Sequence, residues 1–149
     1  MSSKYDIIMF TGLDRAGKST TRKAFAEYTN QKFITWDRSF VDNFVFDEVF
    51  REKPDIGEFL RIATKFAELR TTIVFLGLSY DEINKRTLAT ENFEYDMVEL
   101  KRVKEVYEKY LDIADELGIG IVVVDCNEKT TEQIIKETCE ELDRPTRDK

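Results

Sequence analysis

The chain has no histidine, and among its 149 residues only two cysteines, two prolines, six glycines and one tryptophan. Histidine is the side chain whose charge changes near neutral pH. Without it, any chemistry has to come from carboxylates, lysine, arginine and a bound metal, which is the set used in phosphoryl transfer. Cys126 and Cys139 have no partners in the sequence. That argues against a zinc site or a disulfide and suits thiols in a reducing compartment. No apolar run approaches membrane length, and the residues from Met1 to Asp6 lack the apolar core of a secretory signal. A cytoplasmic location with no membrane partner is therefore expected. Positive charge is also short: 23 Lys and Arg stand against 30 Asp and Glu, a formal net charge of −7. An acidic body repels a polyanion, so extended nucleic-acid binding is disfavoured unless a local basic groove exists. Hydrophobic residues are plentiful at 42%, with 11 Phe and 6 Tyr, enough for a sizeable core. No repeat or low-complexity linker divides the chain, so one domain over residues 1–149 is expected.

Gly12-Leu13-Asp14-Arg15-Ala16-Gly17-Lys18-Ser19 fits G-x-x-x-x-G-K-[ST], the phosphate-binding loop. An apolar run, Ile7 to Phe10, leads into it, and a helical pattern starts at Lys18. Glycines let backbone N–H groups approach a phosphate where a Cβ would obstruct. Gly12, Asp14, Ala16, Gly17, Lys18, Ser19 and Thr20 are the expected nucleotide-binding residues. Lys18 would reach the β- and γ-phosphates, and Ser19 would ligate Mg²⁺. ATP and Mg²⁺ are the expected cofactors. In the empty loop Lys18 is expected to face solvent.

The remaining pattern alternates strands and helices. Strands are expected at Tyr5–Thr11, Phe33–Trp36, Thr72–Leu76 and Ile119–Val124, each continuously apolar, as in a buried parallel sheet. Trp36 reads as core. Asp37-Arg38 follows the second strand, and an acid at the carboxyl end of a parallel strand points to the ligand crevice. Ser39 offers a cap for a helix carrying Phe40, Val41, Phe44, Val45, Val49 and Phe50. The next helix, Asp55 to Arg70, turns Phe59, Leu60, Ala63, Phe66 and Ala67 inward. Ser79-Tyr80-Asp81-Glu82 reads as a capping box. Periodicity is lost from Thr87 to Tyr95, the lid loop is expected over about 87–99, and Met97 to Leu117 continues one long helical face ended by Gly118. The last helix runs from Thr130 to about Leu142. Together these predict a three-layer α/β P-loop domain: a small parallel sheet of about four strands, order 2-1-3-4, with helices on both faces.

Gly12-Leu13-Asp14-Arg15-Ala16-Gly17-Lys18-Ser19-Thr20 resembles the loop of thymidylate kinases, and Asp37-Arg38 is similar to that family's Asp-Arg motif. Asp81 to Arg86 resembles the segment entering its lid, and Tyr107 to Tyr110 the long helix beyond. The chain is shorter than these enzymes and lacks their strand carrying Arg-Glu-Pro. The resemblance implies a P-loop kinase and assigns roles by position. Lys18, Asp37, Arg15 and Arg86 would be catalytic. Arg15 would sit over the transferred phosphate, and Arg86 at the lid hinge. Asp37 would organise Mg²⁺ with Ser19 or accept the acceptor's proton. Asp14 would face the acceptor's sugar hydroxyl, and Arg38 would clamp its phosphate. Phe40, Asn43 and Phe44 would line a base pocket.

An ATP-dependent deoxynucleoside monophosphate (dTMP-like) kinase with a small-molecule acceptor is the expected function; a homodimer is left open. One alternative is a kinase acting on a hydroxyl of a nucleoside or of DNA, at a modified base or a 5′ end. The other is a non-catalytic nucleotide-binding module. The guanine-reading Asn-Lys-x-Asp segment of GTPases is absent, Asp125-Cys126-Asn127-Glu128-Lys129 not fitting it.

Overall fold

A computed structural model describes residues 5–12, 17–79, 82 and 97–143. Its elements in chain order are β1 (Ile7–Thr11), α1 (Lys18–Tyr28), β2 (Ile34–Trp36), α2 (Phe40–Phe50), α3 (Ile56–Glu68), β3 (Thr71–Gly77), α4 (Met97–Glu116), β4 (Gly120–Asp125) and α5 (Thr131–Asp143).

The four strands form one parallel sheet in the expected order, β2-β1-β3-β4. Ile7 is aligned with Ile34 on one side and with Thr71 on the other, and Thr72 with Gly120. β1 is buried along its whole length. Right-handed crossovers explain the layers. The chain moves outward from β1 to β2 through α1, then back across β1 to β3 through α2 and α3. Reversing direction at constant handedness puts α2 and α3 on the face opposite α1. Accordingly α1 packs with α5, whereas α2 and α3 pack with α4. No described helix is long and apolar enough to cross a membrane.

Element ends follow local chemistry. Asp55 caps α3 by accepting the Glu58 N–H at 3.0 Å, so the helix starts one residue later than expected. Arg70, at φ 56°, lies beyond its end. α4 stops before Gly118, whose φ is 102°, and the Ile119 N–H reaches back to the Ala114 carbonyl at 3.1 Å. Within the expected box at Ser79, the Glu82 N–H donates to Ser79 Oγ at 3.2 Å.

The expected burial of the outer strands and of α3 needs correction: β4 is an edge strand, with Val123 61% exposed. β2 is an edge strand of three residues, and Ile34 and Trp36 are 55% and 43% exposed. An edge strand is covered only where a helix reaches it. Here Phe66 meets Trp36 edge-to-face, with ring centroids 5.8 Å apart, and leaves the rest of the indole open. Leu60 also faces outward, while Phe59 and Ala63 carry the buried stripe of α3. Cys126 is buried and Cys139 half-buried, and neither is in a disulfide.

Candidate active site

β1 delivers the chain to Thr11 and Gly12 at the carboxyl edge of the sheet, and α1 departs from Gly17. Gly12 and Gly17 have φ of 142° and 78°, values that L side chains rarely adopt. The Gly17 carbonyl accepts the Thr21 N–H at 2.9 Å, closing the first helical turn. The N–H groups of Lys18, Ser19 and Thr20, in the first turn of α1, have no intrahelical acceptor, the arrangement that receives a phosphate. Asp14, Arg15 and Ala16 lie outside the described residues, as do Arg86 and residues 87–96 of the expected lid, whereas its last three residues, 97–99, are not loop but the first turn of α4.

Ser19 and Thr20 are exposed at the start of α1. Ser19 Oγ donates to Asp37 Oδ2 at 2.6 Å. This contact joins the phosphate loop to the end of the neighbouring strand, and it exists because β2 pairs directly with β1. The Ser19 hydrogen bond holds the Asp37 carboxyl below its ordinary value against the opposing effect of burial. Its own backbone N–H and the charges of Arg22 and Arg38 lower it further. Asp37 is therefore a carboxylate at neutral pH. A carboxylate and a hydroxyl side by side form a hard-oxygen pair suited to Mg²⁺, which keeps several waters and takes its remaining ligands from nucleotide phosphates. Among the described residues no cluster of three His, Cys, Asp or Glu side chains converges.

Lys18 does not face solvent. Its side chain is 9% exposed, and Nζ lies 3.6 Å from Oδ2 of Asp42, itself 5% exposed. Asp42 was not among the residues singled out from the sequence. It occupies the third position of α2, and its Oδ2 accepts the Ser39 N–H at 3.1 Å. Its Oδ1 accepts Thr11 Oγ1 at 2.6 Å, the Gly12 N–H at 3.2 Å and the Tyr107 hydroxyl at 2.5 Å. Tyr107 Oη also lies 3.2 Å from the Gly12 carbonyl; its single proton goes to the closer, charged acceptor. Ser39 Oγ donates to Thr11 Oγ1 at 3.0 Å. One signal in the sequence could have raised Asp42. It is an acid between Val41 and Val45 on a buried face, three residues after a helix-capping serine.

The other expected residues are arranged less closely. Arg38 is exposed directly after Asp37, free to meet an incoming anion. Arg22, also missed from sequence, lies behind Asp37 with Nη1 3.4 Å from Thr35 Oγ1. Phe40 is stacked on Phe66 at an interplanar angle of 3° and is partly buried. Phe44 packs T-shaped on Phe59 and against Tyr110, within the aromatic core between α2, α3 and α4. Asn43 is exposed. Among the described residues, the aromatic surface left open near Asp37 is thus Trp36 with the rim of Phe40 and Phe66.

The architecture is shared with YorR from Bacillus subtilis, whose crystal structure is a complex with phosphorylated GDP. The TM-score is 0.70 at 18% identity, over 90% of this chain and 94% of that one. The fold is the three-layer P-loop fold. Shikimate kinase from Aquifex aeolicus aligns more loosely, at a TM-score of 0.46 and 18% identity, over 91% of this chain and 95% of that one. No family profile matches this chain, and no curated protein does.

Proposed function

We propose that this chain is an ATP-dependent phosphotransferase whose acceptor is a deoxynucleoside monophosphate of the dTMP type. The observation that carries the reading is the 2.6 Å contact between Ser19 Oγ and the ionised Asp37, one residue from the lysine of the phosphate loop. A nucleotide-binding module needs the loop alone. A carboxylate aimed at the loop's metal-side hydroxyl is what transfer adds.

The placements support the following roles. The Gly12 and Gly17 backbone and the start of α1 hold the donor's phosphates, with Lys18 beside them. Ser19 and Asp37 hold Mg²⁺, which when bound neutralises charge developing on the transferred group. Arg38 meets the acceptor's phosphate, and Trp36 with Phe40 offers an aromatic surface to its base. Arg15 and Arg86 complete the cationic set by resemblance. The phosphorylated guanosine nucleotide in the YorR complex supports a nucleotide ligand for this fold. The exposure of Trp36 and Arg38 favours one second reading, the same transfer to a hydroxyl on a nucleoside or on DNA.

The test is γ-labelled ATP with a panel of nucleosides, nucleoside monophosphates and oligonucleotides. Label transferred to dTMP or a related monophosphate supports the proposal. Label transferred only to nucleosides or oligonucleotides selects the second reading, and ATP binding without turnover on any acceptor refutes both.

A further inference from the structure

We propose that Asp42 is the positioning residue of Lys18, holding the lysine in the phosphate loop by charge while leaving all its hydrogen-bond donors for the nucleotide. This deepens the phosphotransferase reading and rests on Lys18 as the phosphate-binding lysine. Oδ1 of Asp42 accepts from three donors, Thr11 Oγ1, the Gly12 N–H and the Tyr107 hydroxyl, and Oδ2 accepts from the Ser39 N–H, so four donors fix the carboxylate's orientation. Lys18 Nζ stands 3.6 Å from Oδ2, beyond the range of an N–H···O bond and well within that of a charge pair.

The distance separates two functions. A carboxylate that competed with phosphate for the lysine would hold it in a short bond that has to break at each turnover. Asp42 supplies only an electrostatic field, which keeps the cation in a site 9% exposed and leaves its three N–H donors uncommitted. The orientation of that field is set by groups distant in sequence. Thr11 and Gly12 belong to the loop, Ser39 and Asp42 to the start of α2, and Tyr107 to α4. The buried polar network is fully satisfied, so it specifies one arrangement. The lysine's placement is therefore tied to the docking of α2 and α4 on the sheet.

The experiment combines two readouts on Asp42→Asn, Tyr107→Phe, Lys18→Ala and the Asp42→Asn/Lys18→Ala double variant. The first is the acylation rate of Lys18 relative to the other lysines, by peptide mass spectrometry without nucleotide. The second is ATP affinity by calorimetry, with thermal melts to establish folding. Asp42→Asn should raise relative Lys18 acylation by about tenfold and weaken ATP binding by about tenfold, and be silent on ATP in the Lys18→Ala background. Tyr107→Phe should shift both in the same direction by about threefold, and decides the matter if Asp42→Asn does not fold. An unchanged acylation ratio overturns the proposal, as does a loss of ATP affinity that adds fully to that of Lys18→Ala. If the wild-type chain binds no ATP, the functional reading fails, and the acylation ratio still tests whether Asp42 holds Lys18.

Discussion

Replacing Lys18 by methionine keeps most of the side chain's volume and removes its charge, so it isolates what the ammonium does. A lysine open to water would be stability-neutral. Lys18 is instead 9% exposed beside an Asp42 carboxylate that is 5% exposed, at 3.6 Å. At that separation the gross attraction is about 4–5 kcal/mol for an effective dielectric of about 20. Removing one member of a buried pair costs about 3–5 kcal/mol because the other charge stays buried. Asp42 keeps four hydrogen bonds, which places the expectation at the lower end, about 3 kcal/mol. For a chain of this size about 2–4 °C goes with each kcal/mol, so the melting temperature should fall by about 6–12 °C. Phosphoryl transfer should be lost as well. Adding Asp42→Asn removes the stranded charge and should recover part of the stability. The assay is thermal unfolding by circular dichroism of the single and double variants at one protein concentration. A Lys18→Met melt within a degree of wild type, or a double variant less stable than the single by the full sum, would refute the pairing argument.

Asp37→Asn should abolish transfer while ATP still binds and the fold holds, because Asp37 faces the metal side of Ser19 and not the donor's phosphate cradle; calorimetry alongside the transfer assay checks this. Joint loss of ATP affinity and stability would mark Asp37 as structural. Ser19→Ala removes the first cause of the lowered Asp37 carboxyl, so that group should titrate at higher pH by NMR, closer to the ordinary range of an aspartate. A lowered carboxylate stabilises the fold above its unfolded value, and that contribution is lost as pH falls through the folded one. In Ser19→Ala it should accordingly be lost earlier on acidification. Arg38→Ala should raise the KM for a monophosphate acceptor about 10- to 100-fold, the size of a charge-assisted pair, with ATP affinity unchanged and only a weak salt dependence. A steep salt slope with activity on DNA alone would favour the nucleic-acid acceptor.

What the sequence determined by itself was everything encoded over short spans. The phosphate loop is legible because its glycines, lysine and serine lie within eight consecutive residues and their spacing is the chemistry. The apolar strands alternate with helical stretches, and right-handed connection leaves few strand orders. One of them, β2-β1-β3-β4, puts Asp37 beside Ser19. Tertiary structure alone decided which side chains those elements bring together. Asp42 looks like a helix-capping acid in the sequence, and its partners are 31 residues away in Thr11 and 65 away in Tyr107. Burial was decided the same way. Trp36 and Phe44 are equally apolar as letters, yet one lies on a sheet edge that Phe66 covers only in part, and the other is enclosed between Phe59 and Tyr110. Periodicity records which face of an element is apolar, whereas the extent to which that face is covered depends on neighbours contributed by the rest of the chain.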